Sequence, residues 1–189
     1  NVPLLYPDID TLIEIIVEEQ VPIVVTSAGS PKRFTPLLHE HGIKVMHVVS
    51  STKFAVKCQE AGVDAVIAEG FEAGGHNGRE ETTTMALIPA VAQAIDLPLV
   101  AAGGIASGRS ILAAQSLGAE GVQIGTLFAL SEESSAHEDF KEACVKSDEG
   151  DTILTLKELA PTRLLKNEFY QQVATLQARG ASADELREL

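Results

Sequence analysis

Six short apolar runs alternate with amphipathic helical patterns along this chain, and that alternation restricts it to the α/β folds. The runs are rich in β-branched residues and cover residues 1–5, 21–27, 44–49, 64–69, 97–102 and 121–126. Each run is continuously apolar, which is typical of parallel strands that are covered on both faces. The βα unit recurs about every 20 to 25 residues, so we expect a parallel sheet flanked by helices.

Two architectures fit this pattern: an open doubly wound sheet or a closed TIM (β/α)8 barrel. We favour the barrel, because glycine turns suited to a phosphate follow the last two strands and because the chain begins within a strand. On this interpretation the first two βα units lie upstream of Asn1. We expect residues 1–130 to form the barrel portion and residues 131–189 to form a mostly helical appended region that covers part of the barrel mouth.

The bulk composition argues against several classes of function. A net charge of −13 disfavours nucleic-acid and anionic-membrane partners, because the phosphates would be repelled. No apolar run approaches the roughly 20 residues that span a bilayer, and no signal peptide is visible. Cys58 and Cys144 have no metal-ligand spacing and suggest reduced thiols. We therefore expect a cytoplasmic protein.

Glycine turns after the fifth and sixth runs predict an anion site. Gly103 and Gly104 allow backbone N–H groups to approach an anion, and a helix beginning near Ser107 points its positive end to the same place. Gly125 and Thr126 leave the next strand with free N–H groups and a hydroxyl. In barrels these two successive strand ends commonly build one phosphate pocket. The alternative is that the glycines only form tight βα turns.

The stretch AEGFEAGGHNG, residues 68–78, is the strongest candidate for catalysis. Gly74 and Gly75 have no β-carbon, so a flat ring can lie against this loop. His76 follows them at the strand end that carries function in barrels, and an imidazole suits proton transfer near neutral pH. Glu69 ends the strand and can accept hydrogen bonds from a heterocycle. The alternative is a histidine that only hydrogen-bonds to a backbone carbonyl in a turn.

The remaining polar candidates are weaker. His39 and His41 are expected at the surface near a helix end, and Glu72 is expected to be exposed. His47 lies within a strand, and the pattern leaves open whether it faces the barrel interior. The sequence contains no nucleophile elbow, metal-ligand cluster or dinucleotide fingerprint.

Taken together, these motifs resemble the nitronate monooxygenase (2-nitropropane dioxygenase-like) family. The likeness is carried by AEGFEAGGHNG, PLVAAGGIASG and LGAEGVQIGTLF, and VTSAG and SAHEDFKEA extend it over nearly the whole chain. The combination is specific, whereas a lone GGI also occurs in inosine-monophosphate dehydrogenase-like barrels. Within the family, the chain is most similar to the flavin-dependent enoyl-acyl-carrier-protein reductase II enzymes, FabK.

The resemblance implies an FMN-binding TIM barrel in which His76 is the catalytic residue and no metal takes part. It implies eight cofactor contacts: Asn1, Glu69, Gly74, Gly75, Gly103, Gly104, Gly125 and Thr126. The last four would hold the FMN phosphate. The family's first flavin contacts lie in a glycine-rich N-terminal loop that this chain lacks, so the chain as given is expected to bind FMN weakly.

The family's reactions leave two activities open. In the reductases, NADH or NADPH reduces FMN, and hydride then passes to the β-carbon of an enoyl thioester. In the monooxygenases a nitronate reduces the flavin, oxygen completes the reaction, and His76 would be the base. Glu69 favours the reductase, since the monooxygenases often carry Gln at this position. A non-catalytic barrel that binds a phosphorylated ligand is a third alternative.

The expected partners follow from the same resemblance. They are an acyl-carrier protein or a small-molecule substrate, and a homodimer is the habit of the family. Acyl-carrier proteins are acidic, so docking to this acidic chain would need a local basic patch. The candidates for such a patch are Lys32, Arg33, Arg79, Arg109, Arg163 and Lys166.

Overall fold

A computed structural model describes residues 1–189 of the chain. Its main element is a six-stranded sheet in which every neighbouring pair is parallel. The strands are β1 (Val2–Pro3), β2 (Ile23–Ser27), β3 (Lys44–Val49), β4 (Ala65–Glu69), β6 (Leu99–Ala102) and β7 (Gly121–Gln123). A smaller antiparallel sheet contains β5 (Gly75–His76), β8 (Thr152–Thr155) and β9 (Thr162–Leu165).

Nine α-helices accompany the strands. They are α1 (Ile9–Glu18), α2 (Thr35–Glu40), α3 (Thr52–Glu60), α4 (Thr84–Ala92), α5 (Gly108–Ser116), α6 (Thr126–Ala129), α7 (Glu138–Lys146), α8 (Glu168–Ala178) and α9 (Ala183–Arg187). The 3-10 turn Pro31–Arg33 precedes α2, and Pro31 is its first residue. None of the helices combines the length and the apolar composition that crossing a bilayer requires.

The strand order separates the two architectures that the sequence left open. The large sheet runs β1-β2-β3-β4-β6-β7, which is the order of the chain without a reversal. A doubly wound sheet reverses its order at a switch point, whereas a barrel adds each strand beside the previous one. All six predicted strands are present; the sixth is shorter than expected because Gly125 and Thr126 already begin α6.

Helices cover one face of the large sheet, and the core lies there. The strand residues in the core cluster alternate with residues of the other face, as side chains do in any strand. The strand side chains that point towards the helices include Val24, Val45, Val66, Leu99 and Ala101. We call this the helix-covered face and its opposite the inner face, since it corresponds to the interior of a barrel.

A partly exposed ion cluster joins two strands at the amino-terminal end of the sheet. The Asp64 carboxylate accepts hydrogen bonds from Lys44 Nζ at 2.7 Å and from the Val45 N–H and His39 Nε2 at 2.8 Å each. Burial alone would raise the pKa of Asp64, but these bonds outweigh it and lower that pKa to about 2. The expected surface histidine His39 therefore has a defined partner far from the candidate site.

The region after residue 130 contains a hairpin that the sequence reading did not predict. Strands β8 and β9 pair antiparallel from Thr152↔Leu165 to Thr155↔Thr162. Residues 131–189 were expected to be mostly helical, and they do contain α7, α8 and α9. The hairpin strand β9 also pairs with β5, which carries His76.

The packing of α4 generates a stability prediction. Within α4, the side chain of Ile88 faces the core and is 0% exposed, whereas Met85 is 66% exposed. Ile88→Ala leaves a cavity and should lower the free energy of unfolding by about 2–5 kcal/mol. Urea denaturation with an unchanged slope measures this loss. Met85→Ala is the matched control in the same helix and should change it by less than about 0.5 kcal/mol; equal effects of the two variants would contradict this packing.

Candidate active site at the carboxyl end of the sheet

The parallel register brings the carboxyl ends of the strands into one row. Val49 pairs with Ala68, Glu69 pairs with Ala102, and Ala102 pairs with Gln123. The loops that leave these strands therefore start side by side. This is the end of the sheet at which barrel enzymes carry their active sites.

A cavity of about 660 Å³ opens at this end of the sheet. On the inner face its wall includes Asn1, Val48, Glu69, Gln123 and His76. The volume lies within the roughly 300–1,000 Å³ typical of small-molecule sites. Three residues predicted as site residues, Asn1, Glu69 and His76, thus line one cavity.

The cavity also continues round the end of β3 towards the helix-covered face. There its wall includes His47, Lys32, Phe54 and Lys57. His47 is buried, and its Nδ1 lies 2.7 Å from Thr26 Oγ1. Burial lowers the pKa of His47 to about 4, so this histidine is neutral near pH 7. His47 shares the strand alternation of Val45 and therefore belongs to the helix-covered face, not to the barrel interior.

Glu69 is the titratable group on the inner wall whose environment perturbs it most. It is half-buried at the last position of β4, and no hydrogen bond or ion pair holds its carboxylate within the chain. Burial raises the pKa of Glu69 from 4.5 to about 7. Near neutral pH this side chain is therefore able either to donate or to accept a hydrogen bond, and such perturbed carboxyls are typical of functional sites.

His76 lies on β5, which pairs with β9 through Gly75↔Arg163 and His76↔Thr162. Its side chain is exposed to solvent, lines the cavity, and has no hydrogen-bond partner in the chain. The turn alternative, in which His76 bonds to a backbone carbonyl, is therefore wrong. The imidazole remains available to a molecule in the cavity.

The first half of the AEGFEAGGHNG loop is tied to the large sheet. Glu72, which was expected to be exposed, accepts hydrogen bonds from the Thr84 N–H at 3.0 Å and from Thr84 Oγ1 at 3.0 Å. Thr84 Oγ1 also lies 2.9 Å from the Gly103 carbonyl oxygen. One threonine at the start of α4 thus links this loop to the first glycine turn. Glu72 is a structural residue of the loop.

The glycine turns lie beside this loop and leave room at the sheet end. Gly103 and Gly104 have φ values of +97° and +69°, and their N–H groups donate to no acceptor in the chain. A β-carbon at Gly74 would lie 3.9 Å from Thr126 Oγ1, and one at Gly75 or Gly125 would meet nothing within 4 Å. The turns themselves are outside the wall of the cavity.

These turns have the chemistry that an anion requires. Successive unpaired N–H groups form a concave donor site, and the open space before Gly125 and Gly75 can admit a ligand. Helix α5 contributes less than expected, because Ser107 and Ser110 close its amino terminus through a reciprocal capping box. The residues present therefore fit a phosphate through backbone donors, with Thr126 Oγ1 nearby.

Two residues of the site region, Gln123 and Asn77, were not predicted from the sequence. Gln123 on β7 lines the cavity, and its polar side chain in an otherwise apolar strand was the available signal. Asn77 anchors the loop through Nδ2, which donates to the Ala73 and Gly75 carbonyl oxygens at 2.9 and 3.0 Å. Its buried Oδ1 has no partner in the chain.

The comparison with protein families decides the affiliation of the chain. Residues 5–188 match the family described as nitronate monooxygenase. The chain belongs to the nitronate monooxygenase family. The resemblance predicted from the EAGGH loop and the two glycine turns is therefore confirmed.

Individual family members and solved structures extend this finding. A probable nitronate monooxygenase of Staphylococcus saprophyticus is 40% identical over 172 residues, which cover 85% of this chain and 48% of the relative. FabK from Thermotoga maritima is 43% identical with a TM-score of 0.88, covering 93% of this chain and 56% of that protein. A nitroalkane oxidase from Streptomyces ansochromogenes is 31% identical with a TM-score of 0.80, covering 93% and 52%.

The same comparisons confirm the fold class. The matched structures are TIM barrels, and the six parallel strands in sequential order form part of such a barrel. The chain spans about half the length of the relatives it matches. His76 and Glu69 both lie at the carboxyl end of the strands of this partial barrel, in the wall of the cavity.

The half-buried carboxyl of Glu69 generates a pH-dependent stability prediction. Its folded-state pKa of about 7 exceeds its ordinary value of 4.5, so the folded chain retains a proton that the unfolded chain releases. Stability is therefore lost as the pH rises from 4.5 to about 7. Glu69→Gln removes this cost and should raise the free energy of unfolding by about 1–3 kcal/mol at pH 8, with no gain at pH 4.

Denaturation of the ligand-free chain at both pH values measures this difference. Glu60→Gln is the matched control, because Glu60 lines the same cavity but is exposed. It should have little effect at either pH. A gain for Glu69→Gln that is the same at pH 4 and pH 8 would show that burial does not perturb this carboxyl.

Proposed function

We propose that the protein is an FMN-dependent oxidoreductase that reduces enoyl thioesters, with His76 as its proton-handling residue. The observation that carries the proposal is the cavity at the carboxyl end of the strands, which has Asn1, Glu69 and His76 in its wall. Family membership supports the flavin chemistry. Because the chain spans about half of its relatives, the proposal concerns the protein in its full-length form.

The cofactor would be held by the residues that the glycine turns and the inner wall offer. Backbone donors of Gly103, Gly104 and Gly125 and the hydroxyl of Thr126 are assigned to the phosphate. Gly74 and Gly75 are assigned to the flat face of the ring system, and Asn1 and Glu69 to its polar edge. When bound, FMN supplies a two-electron carrier that passes hydride to or from a substrate.

His76 is assigned the proton transfer that accompanies hydride transfer. Reduction of an enoyl thioester needs a hydride at the β-carbon and a proton at the α-carbon. An exposed imidazole at the cavity wall, free of internal hydrogen bonds, can deliver that proton. Glu69, whose pKa burial raises to about 7, can donate a hydrogen bond without adding a full negative charge beside the substrate.

Nitronate oxidation is the second candidate, and a specific observation favours each activity. The chain is 43% identical to FabK and 31% identical to the nitroalkane oxidase, which supports the reductase. The family description and the Staphylococcus relatives support nitronate oxidation, in which His76 would take a proton from carbon. Both candidates use the same cavity.

The co-substrate and partners are part of the proposal. NADH or NADPH would reduce the flavin, and an acyl-carrier protein or a smaller thioester would supply the enoyl group. Three of the basic residues considered for a docking patch are engaged within the chain: Arg33 with Asp10, Arg79 with hairpin carbonyls and Arg163 with Phe71. This favours a small thioester as the substrate for a first assay. A cytoplasmic location and a homodimer remain predictions.

An anaerobic flavin assay on the full-length protein separates the two activities. NADPH or NADH should bleach the flavin absorbance, and crotonyl thioester should restore it. The His76→Ala variant should bind FMN but lose about 10²–10⁴-fold in turnover, because the proton transfer is lost. Bleaching by an alkyl nitronate alone would replace the reductase with the monooxygenase, and unaltered turnover in His76→Ala would remove the catalytic role of this residue.

The tight approach at Gly103 generates a cofactor-binding prediction. Its φ is +97°, and a β-carbon there would lie 2.7 Å from the Gly70 carbonyl oxygen. Gly103→Ala must therefore displace the turn. It should weaken FMN binding at least about tenfold, because about that much affinity is lost with one charge-assisted hydrogen bond. Fluorescence quenching during FMN titration of the full-length protein measures the affinity.

Gly108→Ala is the matched control for this turn. A β-carbon at Gly108 meets nothing within 4 Å, and its φ is ordinary. This variant should bind FMN like the unmodified protein, and circular dichroism should show that both variants are folded. Equal affinities for the two variants would mean that the turn after β6 does not hold the phosphate.

A further inference from the structure

The second half of the AEGFEAGGHNG loop forms its hydrogen bonds to other elements with the appended hairpin. Strand β5 pairs with β9, and the Asn77 N–H donates to the Pro161 carbonyl oxygen at 2.8 Å. Arg79 Nη1 and Nη2 donate to the carbonyl oxygens of Lys157 and Leu159 at 3.2 and 2.9 Å. The backbone on both sides of His76 is therefore paired with residues 161–163, and the Arg79 side chain bonds to the hairpin turn at Lys157 and Leu159.

Arg163 makes the most concentrated of these contacts. Its Nε and Nη2 both donate to the Phe71 carbonyl oxygen, at 3.1 and 2.8 Å. Its guanidinium also lies 5.2 Å from the centre of the Phe71 ring, and Nη1 donates to Thr152 Oγ1 at 3.2 Å. One half-buried side chain thus joins both hairpin strands to the start of the loop.

We propose that Arg163 is a positioning residue for His76, fixing the loop that presents the imidazole to the cavity. The loop bends at Gly75, whose φ is +81°. A β-carbon added at Gly75 would have no atom within 4 Å. Barrel atoms therefore do not confine the bend at Gly75, whereas Gly78 beyond it lies against Ser50 at the end of β3. Its position is set at Phe71 by Arg163 and at residues 75–79 by the hairpin backbone.

The guanidinium geometry explains why this position is occupied by arginine. Nε and Nη2 of Arg163 donate to the same carbonyl oxygen, while Nη1 points away from them and donates to Thr152 on the neighbouring strand. A lysine has a single rotatable ammonium and cannot make all three contacts in a fixed orientation. The stacking on Phe71 adds a cation–π contact that restrains the ring as well.

The catalytic part of this inference rests on the proposed function, whereas the structural part does not. A displacement of about 1 Å of a catalytic group can cost about 10²-fold in rate. Arg163→Met keeps the unbranched aliphatic part of the side chain but removes every donor. In the full-length protein it should lower kcat about 10–100-fold with KM changed less than about threefold, because the proton donor is misplaced while the substrate cavity is retained.

Amide hydrogen exchange supplies a readout that does not depend on activity. Arg163→Met should lose protection across residues 71–79, while β4 and β6 keep theirs. Arg163→Lys should show the same two effects, because charge alone does not restore the fork. Lys166→Met is the matched control when both variants are assayed with a small thioester, which needs no docking patch: it removes a positive charge from an exposed residue just after β9 that makes no hydrogen bond to the loop.

The outcomes are distinct. Loss of kcat together with loss of loop protection in Arg163→Met, with neither in Lys166→Met, supports the inference. Unchanged loop protection overturns it, and so does full rescue by Arg163→Lys, which would indicate an electrostatic action on the substrate. If the unmodified protein turns over neither enoyl thioester nor nitronate, the proposed function fails, and the exchange experiment still decides whether Arg163 holds the loop.

Discussion

The parallel pairing of strands in chain order is the constraint on which the rest of the structure depends. It brings Glu69, Ala102 and Gln123 into one row, so three loops leave the sheet at neighbouring points. Helices can cover only one face of such a sheet, because each βα connection returns in the same sense. The inner face and its carboxyl end are left for a ligand, and the cavity lies there.

The loop that carries His76 is shared between two parts of the chain. On the barrel side, Glu72 and Thr84 tie it to the start of α4 and to the turn at Gly103. On the other side, the β8–β9 hairpin bonds to the loop backbone at Phe71 and at residues 75–77, and to the side chain of Arg79. The appended region is thus part of the architecture of the candidate site, because a glycine-rich loop has few side chains with which to fix its own position.

Desolvation gives two titratable groups on opposite faces of the sheet different roles. His47 on the helix-covered face hydrogen-bonds to Thr26, and desolvation keeps its imidazole neutral. The two side chains form a packed polar pair beneath the helices. Glu69 on the inner face is desolvated without a partner, which leaves its hydrogen-bonding capacity for a molecule in the cavity. The histidine that the sequence highlighted, His76, is instead open to the cavity and free of internal bonds.

Local pattern alone determined the six strands, the βα order and the three loops of the site. Continuous apolar runs and glycines at strand ends are local features, and parallel strands place their carboxyl ends together whatever the details of packing. The local pattern could not reveal that His47 faces the helices. A shift of the strand by one residue would turn this side chain to the opposite face of the sheet. Nor could the pattern predict that Arg163 donates a hydrogen bond to the carbonyl oxygen of Phe71, which lies 92 residues earlier in the chain. Only tertiary structure decided these points, because pairing between distant segments follows from packing and not from any nearby residue type.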